Sequence, residues 1–153
     1  MTSSNASGSV RISADPNTVY ALLTDLNVLA ELAEETAEMR WTKGSSAEVG
    51  AVFRGTNRNG KKTWSTTCTV VQAERGRRFS FDVKFAVVPI ANWSYEITAL
   101  DGSCTVTETT VDKRPRGFEL FGGFSTGVKD RGAANAAHIE ATLQRLKERA
   151  EAS

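Results

Sequence analysis

Metal-binding and redox-active residues are scarce in this sequence. It contains one histidine, His138, and two cysteines, Cys68 and Cys104. A structural zinc site takes about four ligands at short spacing, and a disulfide framework needs several cysteine pairs. We therefore predict no metal, no tightly bound cofactor and no structural disulfide. We interpret both cysteines as small buried side chains in a reducing, cytoplasmic compartment.

Long apolar runs and an excess of one charge are also missing. The longest apolar run is the seven residues 85–91, and the first ten residues carry neither a basic nor an apolar stretch. These features predict no secretory signal and no transmembrane segment. Nineteen Lys and Arg face eighteen Asp and Glu, a net charge of +1, which argues against a broad nucleic-acid-binding face.

What is present fits one globular domain. The 153 residues are 40% hydrophobic and 24% charged, which is ordinary for a domain with a packed core. We predict a flexible N-terminus over residues 1–8 and a single domain over residues 9–152.

The first part of that domain predicts a strand and two short helices. Val10 and Ile12 alternate with polar residues, as in a strand with one buried face. Asp15 and Pro16 then supply a capping carboxylate and a first-turn proline for a helix. A second short helix follows, capped by Asp25 or by Asn27 nearby.

The remainder predicts six strands and a long helix. Over residues 38–112 the apolar period is two, with Gly, Asn and Pro turns between the runs. Residues 113–123 break the pattern, with Pro115, three glycines and the apolar Phe118, Leu120 and Phe121, and are predicted to form a mobile, partly apolar loop. Helical spacing returns over about residues 125–152, where the apolar stripe passes from small residues to large ones.

This order of elements resembles a known family. The resemblance rests on residues 10–25, residues 50–57, Trp64 and residues 142–146, and it covers about residues 8–150. The chain is similar to the polyketide cyclase/dehydrase and lipid-transport branch of the START-like (SRPBCC) superfamily. The resemblance implies an α+β helix-grip (START/Bet v 1-like) fold, with a seven-stranded curved antiparallel sheet wrapped around the long C-terminal helix. It also implies an apolar cavity between sheet and helix.

Two patterns predict which residues face that cavity. One is the alternation of side chains between the two faces of each strand, here called strand parity, and the other is the part of the C-terminal helical stripe that consists of small residues. Aromatic and polar side chains on the inward parity, with Phe118 and Phe121 of the loop as a gate, would contact a ligand. The alternative is close packing, with the same aromatics in an ordinary core. The predicted ligand-binding residues are Trp41, Phe53, Asn57, Trp64, Thr66, Phe81, Phe85, Trp93, Tyr95, Val106, Glu108, Phe118, Phe121, Ala133, Ala136 and Ala137.

Glu108 is the most informative of them, because it follows Cys104 and Val106 on the apolar face of its strand. It would orient a ligand hydroxyl, or act as a base if burial raises its pKa. The alternative is a strand-end residue paired with a lysine or water. The sequence contains no fixed catalytic motif, so Glu108 is only a weak catalytic candidate, and the catalytic residues stay unknown. His138 falls off the stripe and is predicted to be either exposed or at the margin of the stripe.

Basic residues are predicted to crowd one end of the sheet. They are Arg58, Lys61, Lys62, Lys113, Arg114 and Arg116. Together they would form a basic rim at the mouth of the cavity. This basic rim would attract a ligand carboxylate or phosphate, an acidic carrier protein or a membrane surface. The alternative is a set of solvated loops.

Three functions remain open from the sequence. The main interpretation is a protein that binds a small hydrophobic ligand, a lipid, a polyketide or an aromatic metabolite, in the cavity. A polyketide cyclase or aromatase acting on a poly-β-ketone in the same cavity is the alternative. A partner-binding regulator with a filled core is the third. Whether the protein is an enzyme, and whether it is a monomer or a homodimer, is left open.

Overall fold

The structure is a computed structural model that describes residues 5–33, 36–113 and 131–152, apart from the side chains of residue 59 and residues 131–134. In these ranges the chain forms seven strands and three helices. They are β1 (Ala6–Ile12), α1 (Pro16–Leu23), α2 (Leu26–Leu32), β2 (Thr36–Lys43), β3 (Val52–Asn59), β4 (Lys62–Glu74), β5 (Arg78–Phe85), β6 (Val88–Leu100), β7 (Ser103–Asp112) and α3 (Arg131–Glu151).

The strands form one antiparallel sheet in the order β1-β7-β6-β5-β4-β3-β2. Strands β2 to β7 each pair with their neighbours along the chain, and β1 forms one edge of the sheet by pairing with β7. The helices cover one face of this sheet, and α3 packs mainly across β1. The predicted α+β helix-grip fold, with two short helices after the first strand, is therefore confirmed.

Strand β1 begins earlier than the sequence indicates. Residues 6–8, assigned to a flexible start, pair with β7 as far as Ala6 opposite Thr110. Gly8 lies where α3 crosses this edge, and a Cβ placed there would lie 2.8 Å from Ile139 Cγ2. The missing side chain thus allows the helix to contact the strand, and a spacing of apolar residues cannot reveal such a contact.

Both short helices begin where the sequence predicts. Asp15 Oδ1 accepts a hydrogen bond from the Asn17 amide at 2.8 Å, with Pro16 in the first turn of α1. Asp25 caps α2, accepting from the Asn27 amide at 3.0 Å. The choice between Asp25 and Asn27 is therefore decided for Asp25.

Helix α3 holds the end of α2 as well as the sheet. The Leu32 carbonyl, at the end of α2, accepts hydrogen bonds from Thr142 Oγ1 at 3.3 Å and Arg145 Nη1 at 2.7 Å. Side-chain donors from another element satisfy a carbonyl that a helix terminus leaves unpaired. The two helices therefore form one continuous cover over the sheet.

Neither cysteine lies beside the other. Cys68 on β4 and Cys104 on β7 are both buried free thiols, with two strands between theirs in the sheet. In the described ranges, no helix is both long enough and apolar enough to cross a membrane.

Candidate functional site

A cavity of about 170 Å³ lies between the inner face of the sheet and the helices α2 and α3. Strands β2 to β7 supply most of its wall, and Leu29 of α2 and three residues of α3 complete it. The wall is mainly apolar, with a few polar groups in two clusters. Such a composition is typical of small-molecule sites.

Seven of the predicted ligand-binding residues line this cavity. They share the inward parity of strands β3 to β7, where alternate side chains point to one face of the sheet. They are Asn57, Trp64, Thr66, Phe81, Trp93, Tyr95 and Glu108.

Four others do not line it. Phe53 is fully buried and packs edge-on against Phe81, with ring centroids 5.1 Å apart, and against Trp41 at 5.4 Å. Val106 is also fully buried within the core. Phe85 ends β5 at the turn into β6. Parity predicts the face of a sheet correctly, but it does not separate side chains that fill the core from those that leave space.

The cavity side of α3 differs from the predicted one. Ala136 and Ala137 are exposed and do not line the cavity, whereas Asn135, His138 and Thr142 do. Ala137 lies two residues before the buried Ile139 and therefore on nearly the opposite side of the helix. His138, predicted to be exposed or at the margin of the apolar stripe, is half-buried and lines the cavity.

Three predicted ligand-binding positions lie outside the described part of the structure. They are Phe118, Phe121 and the side chain of Ala133. The basic residues Arg114 and Arg116 also lie outside it.

The described part of the basic rim lies at one end of the sheet. The turn from β3 to β4, the turn from β5 to β6 and the end of β7 lie together there in the strand register. Of the basic residues near this end, Lys113 forms an ion pair with Asp82 at 3.4 Å, with both side chains partly exposed.

The sequence-based reasoning missed several lining residues. Cys68 is predicted from the sequence only as a small buried side chain, and Gly55, Val83 and Ala91 share its inward face, so strand parity could have identified all four. The α2 contribution and the polar side of α3 leave no such signal, because a hydrophobic stripe does not mark polar residues that face a cavity. The missed lining residues are Leu29, Ala33, Thr36, Met39, Gly55, Cys68, Val83, Ile90, Ala91, Asp112, Asn135, His138 and Thr142.

The first polar cluster is a buried tyrosine–carboxyl pair. Tyr95 on β6 and Glu108 on β7 are register partners across the sheet, and both side chains face inward. The Tyr95 hydroxyl donates to Glu108 Oε2 at 2.7 Å. The other carboxyl oxygen, Oε1, has no hydrogen-bond partner in the described part of the chain. Of the two Glu108 carboxyl oxygens, Oε2 therefore accepts a hydrogen bond, and Oε1 has no partner among the described residues.

Burial changes the ionisation of this pair. It raises the pKa of Glu108 from its ordinary value of 4.5 to about 8, while the Tyr95 hydrogen bond acts in the opposite direction. Burial, followed by the neighbouring Glu108, also raises the pKa of Tyr95 well above 10. A charged form is costly in an apolar environment, so at neutral pH both groups are mainly protonated.

The second polar cluster lies across β2, β3 and β4. Thr36 Oγ1 donates to Asn57 Oδ1 at 3.2 Å, and Asn57 Nδ2 donates to Thr66 Oγ1, also at 3.2 Å. The polar atoms of these three side chains are therefore largely paired with one another by hydrogen bonds. In the described part of the chain, no three His, Cys, Asp or Glu side chains come together in a way that could hold a metal ion.

The chain resembles solved structures over nearly its whole length. A Polyketide_cyc-like protein from Corynebacterium glutamicum is 28% identical, with a TM-score of 0.66 over 95% of this chain and 90% of that chain. The di-domain ARO/CYC StfQ of the steffimycin biosynthetic pathway has a TM-score of 0.75 and 11% identity over 98% of this chain and 51% of that one. Major latex-like protein 151 of Panax ginseng has a TM-score of 0.70 and 11% identity, covering 97% of both chains. The last two likenesses concern the fold.

No curated protein matches the chain. A family model, in contrast, covers almost the same range as the solved structures. The model described as polyketide cyclase / dehydrase and lipid transport matches residues 4–151. Together with the helix-grip architecture, this match means that the chain belongs to the polyketide cyclase / dehydrase and lipid transport family of the START-like superfamily.

Proposed function

We propose that this protein binds a small hydrophobic ligand in the cavity between the sheet and α3. The observation that carries the proposal is the cavity itself, about 170 Å³ with a mainly apolar wall and few polar groups. An apolar cavity of about 150 Å³ in another protein binds benzene. The ligand, or the part of it that enters, is therefore about the size of one ring, as in an aromatic metabolite or a segment of a polyketide or lipid. The open space argues against the regulator with a filled core.

A cyclase acting on a poly-β-ketone is the second candidate function. It is favoured by Glu108, whose pKa of about 8 lies close to neutral pH. A group with such a pKa gives and takes a proton readily under physiological conditions. On this hypothesis Glu108→Gln keeps ligand binding but abolishes formation of the ring-closed product, which chromatography of the reaction mixture would detect.

A pair of matched substitutions tests the binding proposal. Ala91 lines the cavity and is buried, whereas Ala136 is exposed on α3. Ala91→Phe fills the space and is expected to weaken binding of ethylbenzene at least about tenfold, a loss that matches the burial of a few methylene groups. Ala136→Phe is expected to leave binding unchanged. Amide chemical shifts in an NMR titration report both the affinity and the integrity of the fold.

Two results would contradict the proposal. One is a folded Ala91→Phe protein that binds ethylbenzene as the wild type does, because the ligand would then lie elsewhere. The other is a wild type that does not bind the probe up to its solubility limit. Native mass spectrometry of gently purified protein adds an independent measurement, since a co-purifying small molecule would identify the chemistry of the natural ligand.

A further inference from the structure

Among the described residues, Glu108 Oε1 is the one buried side-chain nitrogen or oxygen of the cavity wall without a hydrogen-bond partner. The Glu108 side chain is 2% exposed and lines the cavity, and its Oε1 atom has no hydrogen-bond partner there. The polar groups of the second cluster, in contrast, bond to one another. A buried polar atom without a partner costs free energy that folding alone does not recover.

The hydrogen bond from Tyr95 determines which oxygen of Glu108 carries the proton. A phenol has one O–H, and that of Tyr95 donates to Oε2 over 2.7 Å. Oε2 is therefore the accepting oxygen, and in the neutral carboxyl the proton resides on Oε1. The cavity thus contains an acid O–H group that lacks an acceptor.

The surroundings favour this neutral form of the carboxyl. No Lys or Arg is among the described cavity-lining residues, and the other titratable side chains there include His138 and Asp112. A carboxylate without an adjacent cation is strongly disfavoured in an apolar wall. A ligand carboxylate is unsuited to the site for the same reason. A ligand hydroxyl would bring a further donor that needs its own acceptor, whereas a carbonyl oxygen only accepts.

We propose that Glu108 determines ligand specificity by donating a hydrogen bond from Oε1 to the carbonyl oxygen of an uncharged, ring-sized ligand. Tyr95 is the positioning residue, because it holds the other oxygen and so fixes the direction of the donor. This inference rests on the proposed function and specifies the ligand of the same cavity. It assigns the site to ketones, quinones or similar carbonyl compounds rather than to amines, carboxylates or plain hydrocarbons.

The test uses two probes of matched shape, acetophenone and ethylbenzene, with the wild type and two variants. Glu108→Met keeps a side chain of similar length but removes the donor. It is expected to weaken acetophenone binding about tenfold, the usual worth of one buried hydrogen bond, and to change ethylbenzene binding less than about threefold by the same scale. Glu108→Gln keeps an N–H donor and an acceptor for Tyr95, so acetophenone binding is expected to stay within about threefold of the wild type.

A measurement on the wild type alone keeps the inference testable if the Met variant does not fold. The carbonyl carbon of labelled acetophenone is expected to shift downfield on binding, relative to its position in a hydrocarbon solvent, because hydrogen bonding polarises the C=O group. An unshifted carbonyl in the bound state would overturn the inference.

The remaining outcomes separate the two proposals. Equal losses of acetophenone and ethylbenzene in Glu108→Met would overturn the role of Glu108 but leave the cavity as the binding site. Tighter binding of 1-phenylethylamine than of acetophenone, abolished in Glu108→Gln, would overturn it in favour of a carboxylate that binds a cation. A wild type that binds none of the probes would overturn the proposed function and this inference together.

Discussion

The space between the sheet and α3 is built differently at its two ends. At one end, Ile12, Val106 and Leu146 have no exposed surface and fill the space completely. At the other end, Asn135 and His138 of the same helix face a cavity. One helix on one sheet thus supports a packed core along part of its length and an open space along the rest.

This difference teaches that stability and binding are separated along α3. Large aliphatic residues pack closely where the helix crosses β1, and their burial stabilises the fold. The cavity end is formed by aromatic side chains and by cross-strand polar groups, of which Glu108 Oε1 has no hydrogen-bond partner among the described residues. The cavity end therefore contributes less to the free energy of unfolding, and the burial of Glu108 is expected to lower that free energy.

The largest expected effect is the pH dependence of the stability loss that the buried Glu108 carboxyl causes. The pKa of Glu108 is about 8 in the folded protein and 4.5 ordinarily, so between these values the folded state binds more protons than the unfolded state. The free energy of unfolding then falls as pH rises from about 4.5 to about 8 and is level above that. The contribution of this group amounts to roughly 3–5 kcal/mol, and the raised pKa of Tyr95 keeps the phenol neutral over this range.

Glu108→Gln isolates this effect from other titrations. Urea unfolding of the variant and the wild type at a series of pH values gives the difference between their free energies of unfolding. We expect the variant to gain on the wild type steadily up to about pH 8. A difference that does not change with pH would mean that the carboxyl is not perturbed by burial.

A pair of identical truncations tests the two ends directly. Leu146→Ala at the packed end is expected to lower the free energy of unfolding by about 3 kcal/mol, because it leaves a void in a close-packed core. Leu29→Ala, in the cavity wall, is expected to cost about 2 kcal/mol, since one side of Leu29 already faces open space and fewer contacts are lost. Urea unfolding measures both. Equal losses would contradict the proposed difference between the packed part and the open part of the space above the sheet.

The smallest effect is expected for Tyr95→Phe. The hydrogen bond from Tyr95 lowers the pKa of Glu108 against the larger effect of burial, so its removal should raise that pKa above 8. Stability at neutral pH should change by only about 1 kcal/mol. Carbon-detected NMR of the Glu108 carboxyl measures the titration, and Tyr20→Phe, a half-buried tyrosine outside the cavity wall, is the control. A lowered pKa in Tyr95→Phe would show that Tyr95 does not stabilise the carboxylate.

Most of the fold was predictable because its signals are local. The Asp15 cap, the period-two runs and the closing helix each depend on residues close together in sequence. The start of β1 was not predictable, because Ser7 and Gly8 carry no apolar pattern. Their place in the sheet depends on pairing with Glu108 and Thr109 of β7.

The site was predictable only in part, for a different reason. Parity places Tyr95 and Glu108 on the inner face, but the hydrogen bond between them depends on a cross-strand register that parity does not fix. On α3, small apolar residues suggested open space at Ala136, whereas the cavity lies beside Asn135 and His138. Cavities are defined by what neighbouring elements leave unfilled, and no single segment of sequence records that.

The order of strands also bears on how the chain assembles during synthesis. Strands β2 to β7 form successive hairpins, so each can pair as soon as its neighbour emerges. Strand β1 is made first but must wait for β7, since Ala6 pairs with Thr110. The cavity is closed later still by α3, the last helix of the described chain. Until α3 is made, the growing chain therefore leaves the apolar face of its sheet uncovered, and transiently exposed apolar surface of this kind is prone to aggregate.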